Sequence, residues 1–147
     1  MKRIILAFGA LSISLAPALA CDAEHATYRH LEDKSFTISF SKQKHPKAWS
    51  NIQATLKTPA RKLDFEFTAS NGYEVLSMVL LTKGIEQSRD ISINFLDKNL
   101  KSLHLPEAGK PAAEFLVAPE LGVWLYYSGL DPQDYIPPGV WKLDTCR

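Results

Sequence analysis

Histidines and cysteines are the first residues to test for chemistry. The chain has four histidines, His25, His30, His45 and His104, and two cysteines, Cys21 and Cys146. His25 and His30 stand five apart. That spacing puts them on opposite faces of a strand, or about 140° apart on a helix, so neither geometry makes a preformed ligand pair. No His-x-His, His-x3-His or Cys-x2-Cys spacing occurs. Copper sites on β-rich folds use Cys, Met and His together, and beyond Met1 the only methionine is Met78, inside an apolar run. The spacing predicts solvated histidines, no metal site and no cofactor.

Hydrolytic chemistry has no better footing. Ser128-Gly129 lacks the outer glycines of a Gly-x-Ser-x-Gly elbow, since Tyr126 and Leu130 stand in their places. The carboxylates Asp131 and Asp134 flank Pro132 and fit turn formation. Glycine-rich phosphate loops are absent. The expectation is a protein that is not an enzyme. A contact surface has more support. Trp49 breaks the parity of Ile52 and Leu56 and follows the basic stretch Lys42, Lys44, His45, Lys47. Tyr127, Asp131, Asp134 and Tyr135 belong to a late loop stiffened by Pro132, Pro137 and Pro138. Stiff loops lose little entropy on binding, and tyrosines give large contact area at low rotamer cost. The competing expectation is that Tyr126 or Tyr127 packs in the core while Tyr135 plugs one end of the fold.

The first twenty residues set the context. Lys2 and Arg3 precede an apolar run from Ile4 to Leu15, and Ala18-Leu19-Ala20 offers an A-x-A cleavage site. This order predicts a secretory signal peptide over 1–20. Cleavage leaves Cys21 at the new N-terminus, with Cys146 its only possible partner. In an exported chain that predicts a disulfide joining the two ends. The alternative is a lipid anchor at Cys21. Ala18 and Leu19 match poorly the Leu and small residue that precede a lipidated cysteine, and lipidation would leave Cys146 unpaired. The formal charge of +1 falls to −1 without Lys2 and Arg3. That balance does not favour nucleic acid. No later apolar run approaches the roughly 20 residues of a membrane helix.

The remaining elements are short and alternating. Phe36, Ile38 and Phe40 share one face of a strand; Ile52, Ala54 and Leu56 share another; so do Leu63, Phe65 and Phe67. Asn71-Gly72 signals a hairpin into Tyr73–Thr82, which is apolar on both faces and so expected at the centre of a sheet. Further strands are expected at Ala26–Leu31, with a short helix capped by Asp22 as the alternative, and at Ile91–Phe95, Leu100–Leu105, Val123–Tyr127 and Val140–Cys146, with Trp124 and Trp141 in the core; Glu114–Ala118 is expected as a short strand or a single helical turn. This pattern predicts an all-β fold: one antiparallel β-sandwich or small barrel over 21–147. Leu130–Leu143, with Pro137-Pro138-Gly139 before an alternating strand, resembles the final hairpin of bacterial immunoglobulin-like and prealbumin-like sandwiches. That resemblance implies fold, not function. The functional expectation is an exported, non-catalytic module of the bacterial periplasm or cell surface. It would bind an envelope or secreted protein, as inhibitors and immunity proteins do. The alternatives are a structural or assembly component of a surface structure and, third, a wall- or glycan-acting enzyme.

Overall fold

The structure is a computed structural model that describes residues 21–43, 49–70, 75–81, 90–128 and 135–147. The described residues form ten antiparallel strands in one sheet: β1 (Ala26–His30), β2 (Thr37–Lys42), β3 (Ile52–Lys57), β4 (Lys62–Ala69), β5 (Leu76–Leu80), β6 (Ile91–Ser92), β7 (Asn94–Leu96), β8 (Ser102–Leu103), β9 (Phe115–Val117) and β10 (Val140–Cys146). One short helix, α1 (Leu121–Tyr127), follows β9. The strand order is β6-β5-β4-β3-β2-β1-β10-β9-β7-β8. First and last strands therefore lie side by side at the middle of the sheet. Cys21 and Cys146 form a disulfide at their shared end, with Cα atoms 5.6 Å apart and 125 residues between them in sequence.

Alternation explains which way each strand faces. Tyr28, Ile38, Phe40, Ala54, Leu56, Leu63, Phe65 and Phe67 point to one side and are buried. Their neighbours Arg29, Thr37, Ser39, Thr55 and Asp64 point to the other and are at least partly exposed. The buried side then curls around its own side chains. Phe67 on β4 and Phe95 on β7 are six positions apart in the strand order. A flat sheet with about 4.8 Å between strands would hold them about 29 Å apart. Their ring centroids are 5.5 Å apart, and Phe40 joins both, at 5.2 and 6.2 Å. The sheet is thus a curled half-barrel filled by aromatic rings. Only Ile93 separates β6 from β7, so one run of chain serves both ends of the curl. Segment 106–113 covers the core beside the disulfide. The Tyr28 hydroxyl donates to the Ala113 carbonyl at 3.0 Å, and the Ser50 hydroxyl to the Pro106 carbonyl at 2.6 Å. Both buried hydroxyls are satisfied, as burial demands.

The all-β, disulfide-closed expectation holds, and four local expectations change. Val123–Tyr127 is helical, not extended. β5 is second from one end of the order, not central; the Asn71-Gly72 signal lies outside the described residues. β10 pairs with β1 and β9 and follows α1, so the described residues place no final hairpin there. His30 is fully buried, while His25 and His104 are exposed as expected and His45 lies outside the described residues.

His30 is held as a neutral ring. Its Nδ1 accepts the Asp33 N–H at 3.1 Å, so the proton sits on Nε2. Its ring meets Trp141 edge-on at 5.0 Å. A Cβ on Gly139 would fall 2.7 Å from Nε2, so only glycine fits above the imidazole. Burial pushes the His30 pKa below its ordinary value, opposed in part by Glu32, the Pro137 backbone and Asp33, and aided by Lys34. The unfolded chain then binds more protons than the folded one as pH falls below about 6.5. Stability contributed by the neutral ring is complete above that pH and is lost on acidification through the folded pKa.

Two outcomes are expected. Reducing the disulfide should lower the free energy of urea unfolding by about 2–5 kcal/mol; an unchanged midpoint contradicts the terminal staple. Between about pH 7.5 and 5.5 the wild-type melting temperature should fall more than that of His30→Gln. Equal slopes would show that this imidazole does not titrate with folding.

Candidate contact surface

Helix α1 forms from residues whose local preference is extended. Val, Trp and Tyr favour strands, but the spacing of Leu121, Trp124 and Leu125 at i, i+3 and i+4 gives one buried helical stripe. Trp124 meets Phe65 of β4 edge-on at 6.1 Å. Gly122 lies against the backbone of Ile136, where an added Cβ would overlap the Ile136 carbonyl. Ile136 is itself buried. Ser128 ends the helix: its N–H donates to the Trp124 carbonyl at 3.0 Å and its hydroxyl to that of Leu125 at 2.7 Å.

With that stripe buried, the opposite face is open. Val123, Tyr126 and Tyr127 are 54, 62 and 70% exposed. The two tyrosine rings meet edge-on with centroids 5.2 Å apart. Packing of Ile136 on Gly122 brings its neighbour Tyr135, 54% exposed, to the same end of the molecule. Beside the helix is a depression of about 340 Å³ bounded by Asp90, Ile91, Pro119, Val123 and Tyr127. The surface is therefore a small aromatic ridge next to a cleft.

The residues expected at a contact site divide. Tyr127 and Tyr135 are exposed near one another around α1. Trp49 is also exposed, but it precedes β3, where Ser50 and Asn51 tie to Pro106 and Ala108. Among the described residues no ring contact or hydrogen bond links it to α1. Asp131 and Asp134 lie outside the described residues. Val123 was not expected at the site, because reading this stretch as a strand hides its helical face. The signal was present in Leu121, Trp124 and Leu125. Trp124 and Trp141 are buried as expected.

Among the described residues no group of three or more His, Cys, Asp and Glu is placed to hold a metal ion. No described helix is long and apolar enough to cross a membrane. No protein-family model, curated protein or solved structure matches the chain.

Gly122→Ala should cost about 1–3 kcal/mol in urea unfolding, by forcing α1 away from Ile136. Val123→Ala, on the open face, should stay within about 0.5 kcal/mol. If the two variants are equally stable, the docking of α1 is wrong.

Proposed function

We propose that the protein is exported by the leader at 1–20 to an oxidising compartment, the bacterial periplasm or cell surface, and acts there as a non-catalytic protein-binding module of the inhibitor or immunity kind. The observation that carries this reading is the exposed Tyr126–Tyr127 pair on a helix whose other face is locked into the core. Rigid tyrosines beside a cleft supply contact area with little ordering cost. The disulfide fits an oxidising compartment.

The alternatives have less support. Acceptance of a partner's strand needs a long free edge, and the strands at the two ends of the order, β6 and β8, are two residues each. A glycan-cleaving enzyme needs a carboxyl held protonated. Among the described residues, the carboxyls with shifted pKa are Glu24, Asp33 and Asp97, and all three move down. Donors keep them ionised: the Gly109 N–H for Glu24, the Ser35 hydroxyl for Asp33 and the Lys101 N–H for Asp97.

The test is capture by the immobilised oxidised chain from envelope and secreted fractions, with and without Tyr126→Ala/Tyr127→Ala. The expected result is one stoichiometric partner that the double variant loses by more than tenfold in affinity, about 1.4 kcal/mol or more, with the melting temperature unchanged. Capture that is indifferent to the substitution would overturn the assignment of the surface.

A further inference from the structure

The face of the sheet opposite the core carries a second arrangement, independent of α1. Register aligns Arg29, Thr37, Lys57 and Lys62 in one row across β1, β2, β3 and β4. Two residues along the strands, a second row aligns Thr145, Thr27, Ser39, Thr55 and Asp64 across β10, β1, β2, β3 and β4. The rows form the floor of a depression of about 670 Å³, flanked by Lys34 and Arg147. Asp64 ends the second row, and among the described residues no aromatic side chain lines the depression.

Of the charges in these rows and at their flanks, Arg29 and the lysines differ in their use by the fold. Arg29 is used internally: its Nε and Nη2 donate to Asp144 Oδ2 at 3.0 and 2.9 Å, and its Nη1 to the Lys34 carbonyl at 2.9 Å. Lys34, Lys57 and Lys62 have no ion-pair partner among the described residues. Lys57 and Lys62 stand directly opposite one another across β3 and β4. Like charges in that position destabilise a sheet. The arrangement is unfavourable in the free protein and becomes favourable once an anion lies between the lysines. The Asp64 carboxylate, in the neighbouring row, accepts the Thr55 hydroxyl at 2.7 Å.

We propose that this trough binds an acidic polysaccharide, with anionic groups on the Lys57–Lys62 row and sugar hydroxyls on the Thr27–Ser39–Thr55 row. Arg29 to Lys62 spans three strand intervals, about 14 Å, enough for several linked sugars. The lining chooses among anions. Single-stranded nucleic acid is held by stacking on aromatic rings as well as by charge, and the trough offers no ring. A lipid surface is held by apolar insertion together with basic residues, and the trough offers no apolar side chain. Paired rows of cations and hydroxyls suit a ligand that alternates carboxylate with hydroxyl.

The experiment is binding of the oxidised chain to polygalacturonate, with neutral dextran, single-stranded DNA and phosphatidylglycerol vesicles as comparisons. Polygalacturonate should bind, more weakly as salt rises, and dextran should not. Lys57→Gln/Lys62→Gln should weaken binding by roughly tenfold while the melting temperature stays level or rises, because a like-charge pair has been removed. Tyr126→Ala/Tyr127→Ala should bind polygalacturonate normally, which separates this surface from the one on α1. Absence of polygalacturonate binding overturns the proposal. So does equal binding by the lysine variant, or stronger binding to DNA or to the vesicles.

Discussion

The ladder between β1 and β10 is the contact on which the rest depends. It pairs Ala26 with Cys146 and His30 with Trp141, the two ends of the chain. These strands are neighbours at the middle of the sheet, so the ladder joins β6 through β1 on one side to β10 through β8 on the other. Bringing such distant residues together costs chain entropy, and the disulfide removes much of that cost from the unfolded state. A shift in register between Thr27 and Tyr28 lets Asp144 reach Arg29 on the outer face, while Trp141 stays in the core.

From that seam the curl follows. Six strands on one side and four on the other bury a single apolar face, and among the described residues no second sheet covers it. The face closes on itself, and large rings fill the space. Tyr28, Phe40, Phe67 and Phe95 form a chain of ring contacts from the seam to both flanks. α1 completes the cover by placing Trp124 against Phe65. Its outer face is left to solvent, which is why the tyrosines stand exposed. The two candidate surfaces thus lie on different layers: the aromatic ridge on the plug of the core, the cationic rows on the back of the sheet.

Strands with one buried face were legible in the sequence. Period-two alternation in 36–40, 52–56 and 63–67 gave both the element and the inward side, because a slip of one residue would expose every apolar side chain. The terminal disulfide was legible from compartment and cysteine number. What was not legible depends on distant partners. Val123–Tyr127 carries β-forming residues, and only the close fit of Gly122 on Ile136 and of Trp124 on Phe65 makes it a helix. His30 ends β1, while the exposed His25 and His104 lie outside the strands. Its burial depends on Trp141 and Gly139, more than a hundred residues away. The cationic row draws Arg29, Lys57 and Lys62 from three strands, and no spacing along the chain announces it. Trp49 and Tyr127, both offered by the sequence as contact residues, are both exposed, and no ring contact among the described residues joins them.

The measurement closest to this account is native-state hydrogen exchange on the oxidised protein. Backbone amides that open only with global unfolding exchange slowest. A fold held at the β1–β10 seam predicts that the slowest amides lie in β1, β10 and β2, with β6 and β8 exchanging far sooner. Slow exchange centred on β4 and β5, with β1 and β10 opening early, would contradict it.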